Sequence, residues 1–133
     1  MKLSVVVPIY GVEAYIADCA RSLLSQSWAD AEFVFVNDGT PDRSMEVLAG
    51  VLKEFPQREV VIVNQENRGL PQARKAGIAK ATGDYIMHVD SDDWLAPGAL
   101  EKLARKAMET DADVIHYYVK KVRANGSSHI SRA

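Results

Sequence analysis

Apolar runs and amphipathic stretches alternate along most of the chain. The continuous apolar runs predict strands that are buried on both faces of a sheet, and they lie at 3–9, 32–36, 59–63 and 85–89. Between and after these runs, apolar residues recur at helical spacing and predict helices over 12–26, 42–55, 72–81 and 97–110. A further apolar segment follows at 113–119.

Strands that alternate with helices predict a doubly wound α/β fold. The sheet is expected to be mainly parallel and to lie between two layers of helices, as a three-layer αβα arrangement. The chain has 133 residues, of which 47% are hydrophobic, and this is enough for one domain with a core. We expect residues 1–119 to form that domain and residues 120–133 to form a polar C-terminal tail.

Carboxylates and turn residues follow three of the predicted strands. The first strand leads into Pro8–Gly11, the second into Asp38, and the fourth into Asp90, Asp92 and Asp93. Right-handed connections bring these three exits to one edge of the sheet, where ligands of open α/β folds bind. A cation with oxygen ligands, Mg²⁺ or Mn²⁺, would relieve the repulsion among the carboxylates and would bring a phosphorylated ligand with it. The pattern therefore predicts a metal–diphosphate site.

Structural explanations compete with this reading at several positions. Asp93 suits a helix N-cap and Asp38 suits an Asx turn. Arg74 is also consistent with a solvated helix face, and Trp94 with a packed aromatic residue. His88 lies within an apolar strand, where a hydrogen-bonded interior histidine is more common than a metal ligand.

Composition and missing motifs exclude several classes of protein. Sixteen basic and eighteen acidic residues give a net charge of −2, so nothing indicates binding to nucleic acid or to an anionic membrane. The chain has no Gly-x-Gly-x-x-Gly, P-loop or Cys-x-x-Cys motif. Its first apolar stretch is too short for a membrane span, and we expect a soluble protein without a transmembrane segment. The single cysteine, Cys19, is predicted to be a buried apolar residue, and a reducing, cytoplasmic setting follows.

Five motifs, in order and at natural spacing, resemble those of the family 2 glycosyltransferases of GT-A fold. They are Ser4-Val5-Val6-Val7-Pro8-Ile9-Tyr10-Gly11-Val12-Glu13, Val36-Asn37-Asp38-Gly39-Thr40-Pro41-Asp42, Asn67-Arg68-Gly69-Leu70 with Ala73-Arg74-Lys75-Ala76-Gly77, Thr82-Gly83-Asp84-Tyr85, and Asp90-Ser91-Asp92-Asp93-Trp94. The resemblance covers roughly 2–119, and it is the conjunction of the motifs that makes it specific.

The resemblance implies a role for each matching residue. The residues implied to contact the nucleotide-sugar are Pro8, Tyr10, Glu13, Asp38, Arg74, Asp90 and Ser91. Among these, Pro8 and Tyr10 would line the base with Glu13 close by, and Asp38 would accept a hydrogen bond from the uracil imide. Arg74 would hold the base or the phosphates, and Asp90 would contact the ribose. Asp92 would coordinate the divalent metal, Mg²⁺ or Mn²⁺, that bridges the diphosphate.

The resemblance also implies an overall function. It is inverting transfer of a sugar from a UDP-sugar to a saccharide or lipid-linked acceptor in polysaccharide biosynthesis, in the cytoplasm or at the inner face of the membrane. The general base of such enzymes lies beyond the matched region, so no catalytic residue is assigned in this chain. Two alternatives stay open, namely a non-catalytic nucleotide-sugar-binding module and a fragment that self-associates, for example as a homodimer.

Overall fold

A parallel sheet forms the centre of the computed structural model, which describes residues 1–115, 118–122 and 128–132. Its strands are β1 (Leu3–Ile9), β2 (Ala31–Asp38), β3 (Glu59–Gln65) and β4 (Tyr85–His88), in the order β3-β2-β1-β4. The helices are α1 (Ile16–Leu24), α2 (Ser44–Leu52), α3 (Leu70–Lys80) and α4 (Ala99–Thr110). A separate antiparallel pair consists of β5 (Tyr118–Val122) and β6 (Ser128–Arg132).

The helices cover both faces of the parallel sheet, as the sequence predicts. All seven residues of β1 are buried, because this strand pairs with β2 on one side and with β4 on the other. Alternate residues of β1 and β2 point to opposite faces. One face, which includes Val5 and Phe33, packs in the core that also contains buried residues of α1, α2 and α4. The other face, which includes Val6 and Val34, packs with Ala73 of α3. The three-layer α/β prediction is confirmed.

A buried glutamate joins the strands at their amino ends. Glu32 of β2 is 1% exposed, and its Oε2 accepts hydrogen bonds from the Ser4 hydroxyl at 2.5 Å and from the Thr82 backbone N–H at 2.5 Å and hydroxyl at 2.9 Å. Gly83 N–H donates to the same Ser4 hydroxyl at 2.8 Å. Burial raises the pKa of Glu32, but these hydrogen bonds outweigh it and leave the pKa below its ordinary value. The network ties β1 and β2 to the connection that precedes β4.

The C-terminal region differs in its boundaries from the prediction. The apolar segment predicted at 113–119 overlaps β5 at its end, and residues 116–117 lie outside the described residues. The predicted tail, 120–133, includes most of β5 and all of β6, while 123–127 and 133 lie outside the described residues. Within the part of the chain that the structure describes, every helix is too short or too polar to cross a bilayer.

Candidate functional site

A cleft of about 470 Å³ lies at the carboxyl ends of the parallel strands. The chain reaches it from the turn after β1, the end of β2, the loop between β3 and α3, and the loop after β4. The lining residues are Pro8, Ile9, Tyr10, Val12, Asp38, Asn67, Gly69, Leu70, Ala73, Asp90, Ser91 and Asp92. The predicted convergence of the first, second and fourth strand exits is therefore confirmed.

Six of the eight predicted site residues line this cleft. They are Pro8, Tyr10, Asp38, Asp90, Ser91 and Asp92. Pro8 is buried at the end of β1, whereas Tyr10 is 52% exposed. Trp94 is 62% exposed, so the interpretation of this residue as a packed aromatic is wrong. It follows the acidic loop after β4 and lies outside the strands and helices.

Asp38 is the most completely hydrogen-bonded carboxylate of the cleft. Only 3% exposed, it accepts hydrogen bonds from Gln65 Nε2 at 2.8 Å and from the backbone N–H groups of Arg68 at 2.9 Å and Gly69 at 3.0 Å. Asn67 Nδ2 adds a longer contact of 3.4 Å to Oδ2. Burial raises the pKa of Asp38, but the donors, first among them Gln65, outweigh it and lower the pKa. Asp38 is therefore an ionised acceptor that also shapes the loop between β3 and α3.

Arg74 does not line the cleft, but it forms an ion pair with Asp90, which does. Its Nη2 lies 3.1 Å from Asp90 Oδ1, and the two side chains are 38% and 46% exposed. Arg74 Nε and His88 Nδ1 are buried and have no hydrogen-bond partner among the described residues. The expectation that His88 is hydrogen-bonded is therefore not met at Nδ1. Burial, together with the nearby charge of Arg74, lowers the pKa of His88 despite the opposing effect of Asp90, so the imidazole is neutral near pH 7.

The loop after β4 gathers three carboxylates. Oxygen atoms of Asp90, Asp92 and Asp93 all lie within 4.8 Å of one another, and Asp92 and Asp93 are exposed. Burial, and then the charges of Asp92 and Asp90, raise the pKa of Asp93. A set of carboxylate oxygens at this spacing fits Mg²⁺ or Mn²⁺, which prefer oxygen ligands. Asp93 does not cap α4, because the N-cap position is Gly98.

Cys19 lies beneath this acidic loop and is buried, as predicted. Its Sγ is 3.8 Å from the backbone carbonyl oxygen of Asp90, to which the thiol donates. Burial and then the charges of Asp93, Asp92 and Asp90 raise the pKa of Cys19 to about 12. The residue is therefore a protonated thiol that packs under the site, and it is not a nucleophile.

Glu13, which is expected to lie close to the nucleotide base, is hydrogen-bonded to the loop between β2 and α2. It is absent from the lining of the cleft, and its Oε1 accepts the backbone N–H of Arg43 at 2.8 Å. Three further lining residues lie between β3 and the start of α3, namely Asn67 and Gly69 of the loop and Leu70, the first residue of α3. They belong to one of the motifs quoted above, but the expected convergence does not include the exit of the third strand.

Comparisons with known proteins agree with this geometry. The chain matches the model of glycosyl transferase family 2 over residues 4–129. It is 39% identical over 121 residues to glycosyltransferase GlyA of Streptococcus pneumoniae, covering 88% of this chain and 17% of that protein. It is also 39% identical over 113 residues to the uncharacterized glycosyltransferase EpsJ of Bacillus subtilis, covering 85% of this chain and 32% of that protein. The chain thus spans a third or less of the length of these two relatives.

Solved structures show the same fold. The crystal structure of S. aureus TarS 1–349 in complex with UDP-GlcNAc is 29% identical, with a TM-score of 0.77, over 85% of this chain and 33% of that one. The mannosyltransferase PcManGT of Pyrobaculum calidifontis is 22% identical, with a TM-score of 0.79, over 90% of this chain and 36% of that one. These likenesses confirm the expected GT-A type of α/β fold.

Proposed function

The chain belongs to glycosyl transferase family 2, and on that basis we propose that it forms the donor-binding part of an inverting glycosyltransferase that uses a UDP-sugar. The observation that carries the proposal is the cleft itself. Four separate segments meet there, and the lining includes Asp92, whose carboxylate makes no hydrogen bond within the described residues and lies close to those of Asp90 and Asp93. A solved neighbour, TarS 1–349, has been crystallised with UDP-GlcNAc, which supports a nucleotide-sugar as the ligand.

The nucleotide base would bind between the turn after β1 and the end of β2. Tyr10 is half exposed beside Pro8 and offers an aromatic surface to a base. Asp38 is ionised and can accept the imide N–H of uracil, which cytosine lacks. A carboxylate has about four lone-pair sites. The imide would therefore take the site on Oδ2 that Asn67 occupies only at 3.4 Å.

The diphosphate would lie beside the acidic loop. Asp92 is exposed and offers its carboxylate to a divalent cation, whereas the charge of Asp90 is partly compensated by Arg74 at 3.1 Å. Arg74 would thereby help to orient Asp90 toward the ribose. A bound Mg²⁺ or Mn²⁺ would neutralise the charge of the diphosphate as it leaves the sugar.

The acceptor half of the reaction has no assigned residue in this chain. A saccharide or lipid-linked acceptor, a role in polysaccharide biosynthesis and a cytoplasmic location, including the inner face of the membrane, stay predictions. The same holds for the domain limits of 1–119 and 120–133 and for a homodimer.

A thermal-shift panel tests the donor site. UDP with Mn²⁺ or Mg²⁺ should raise the melting temperature, because a ligand that binds only the folded state stabilises it. CDP with the same metal should give a smaller shift, and UDP with excess chelator should give almost none. Asp92→Asn should abolish the metal-dependent shift. Glu109→Gln is the matched control, since it removes one exposed carboxylate of α4 that does not line the cleft.

Two results would overturn the proposal. If UDP raised the melting temperature equally with and without chelator, UDP binding would not depend on a metal. If the shift were unchanged in Asp92→Asn, Asp92 would not be a ligand of the metal. Release of UDP from a UDP-sugar then separates a catalytic donor domain from a module that only binds, because a module binds UDP saturably and releases none from the donor.

A further inference from the structure

The turn that carries Tyr10 is held at three consecutive backbone amides by the loop between β2 and α2. Each amide donates to a different side chain of that loop. The three hydrogen bonds are Gly11 N–H to Thr40 Oγ1 at 2.9 Å, Val12 N–H to Ser44 Oγ at 3.1 Å, and Glu13 N–H to Asp42 Oδ2 at 3.2 Å. No other described element holds these three amides.

Asp42 is at the centre of this arrangement. Its Oδ1 accepts the hydroxyl protons of both Thr40 and Ser44, each at 2.6 Å. A hydroxyl has one proton and two lone pairs, so a hydroxyl that donates to Asp42 must present its lone pairs elsewhere. Those lone pairs accept the amides of Gly11 and Val12. Asp42 therefore orients both hydroxyl groups and also accepts the third amide directly.

The contact between the two loops is reciprocal. Glu13 Oε1 accepts the backbone N–H of Arg43 at 2.8 Å, so the turn also holds the start of α2. The hydrogen bonds from Ser44 and then Thr40 lower the pKa of Asp42 to about 2, which keeps the carboxylate ionised at neutral pH. The Tyr10 side chain makes no hydrogen bond within the described residues, so its position depends on the backbone of the turn.

We propose that Asp42 is a positioning residue for the base end of the cleft. It does not line the cleft, and it acts by fixing the turn that presents Tyr10 to the nucleotide base. The inference rests on the proposed function, because it assigns the base to that turn. The inference distinguishes the two ends of the ligand, since the diphosphate would lie beside the loop after β4, to which the Asp42 side chain makes no hydrogen bond among the described residues.

A purely structural role for Asp42 makes a different prediction. Ser44 N–H also donates to Asp42 Oδ1, at 3.1 Å, at the start of α2. If Asp42 only stabilised this helix, its replacement would lower the melting temperature and would leave the affinity for UDP unchanged. If it positions the turn, its replacement weakens UDP binding and spares a ligand that has no base.

The test uses Asp42→Asn and calorimetric titration well below the melting temperature. The asparagine Oδ1 can still accept the hydroxyl protons, but its amide cannot accept the Glu13 N–H. Weakening of this anchor should raise the Kd for UDP with Mn²⁺ about tenfold. The Kd for pyrophosphate with Mn²⁺ should stay within about twofold. Leu52→Ala is the control, because it destabilises α2 through lost packing and leaves the turn untouched.

Three results decide the matter. An unchanged Kd for UDP in Asp42→Asn, or an equal loss for UDP and pyrophosphate, would overturn the inference. Hydrogen exchange of the amides at 11–13 adds a readout that needs no nucleotide, and these amides should exchange faster in Asp42→Asn than in Leu52→Ala. If the unchanged chain did not bind UDP at all, the proposed function would fail instead, and the exchange rates would still decide whether Asp42 holds the turn.

Discussion

At the amino ends of the strands, Glu32 of β2 is 1% exposed and accepts hydrogen bonds from Ser4 of β1 and from Thr82 in the connection before β4. At the carboxyl ends, Asp38 is 3% exposed and also accepts backbone N–H groups, but from a loop that lines a cleft. The two carboxylates have the same chemistry and the same direction of pKa shift. They differ in what surrounds them.

The difference lies in whether the neighbouring carboxylates have partners. Around Glu32 the nearby carboxylates are paired, for example Glu59 with Lys2 at 2.7 Å. At the cleft that Asp38 lines, the carboxylates of Asp92 and of the neighbouring Asp93 have no hydrogen-bond partner within the described residues. A buried, fully bonded carboxylate therefore marks how the chain is tied together. Unpaired carboxylates next to a cleft indicate where a cation and its ligand would bind.

The largest effect is expected at the amino end. Glu32→Ala should lower the free energy of unfolding by about 3 kcal/mol, because the buried donors of Ser4 and Thr82 lose their acceptor. Urea denaturation measures the free energy of unfolding. Glu59→Ala is the control, because it removes an exposed carboxylate that pairs with Lys2. The control should cost less than about 1 kcal/mol. Nucleotide binding by the folded fraction should be unchanged, and a specific loss of UDP affinity in Glu32→Ala would erase the distinction between the two ends.

A smaller effect on stability, accompanied by a loss of binding, is expected at the carboxyl end. Gly39 has φ +67°, and a Cβ atom there would lie 2.7 Å from the backbone nitrogen of Asn67. Gly39→Ala must therefore strain its own backbone and displace the loop whose N–H groups bind Asp38. We expect a loss of about 1–3 kcal/mol of stability and about tenfold weaker binding of UDP.

Gly98→Ala provides the control for this substitution. Gly98 also has a positive φ, +79°, but nothing lies within 4 Å of the position of its Cβ. It should therefore lose a similar amount of stability and keep its affinity for UDP. If isothermal titration gave the two variants the same affinity, the close approach of Gly39 to Asn67 would not contribute to the site.

The fold and the position of the cleft were predictable because they depend on patterns that tertiary contacts do not alter. Continuous apolar runs predicted the strands, and the handedness of the connections predicted which strand ends meet. Asp38, Asp90 and Asp92 follow from that rule, and they line the cleft.

The remaining features depend on contacts between distant loops. Glu13 accepts the backbone N–H of Arg43, and the sequence spacing of 30 gives no sign of this pairing. The network of Asp42 was missed for the same reason, because the sequence indicated only a helix start there. The contact of Gln65 with Asp38 lies outside the prediction, because the predicted strand ends at 63, whereas β3 extends to Gln65, whose side chain binds Asp38.

The smallest effect on stability at neutral pH is expected from protonation of the carboxylates. In acid the effect is larger, and it can be used to compare the two ends of the sheet. The folded-state pKa values of Glu32, Asp38 and Asp42 are lowered, so the unfolded chain binds more protons and stability falls as the pH falls. The contribution of Asp42 is fully present above about pH 4, the ordinary carboxyl pKa, and it is lost toward its folded value of about 2. Asp93, whose pKa is raised, acts in the opposite direction.

Urea midpoints measured from about pH 6 to about pH 2 should therefore decrease steadily below about pH 4. Asp42→Asn removes the contribution of Asp42 at the carboxyl end, where that of Asp38 is kept, and Glu32→Gln removes that of Glu32 at the amino end, so each variant should flatten part of the decrease. Because the two carboxylates lie at opposite ends of the sheet and share no partner, the flattening in the double variant should be the sum of the two. A midpoint that stays constant across this range, or a double variant no flatter than either single one, would contradict independent anchoring of the two ends.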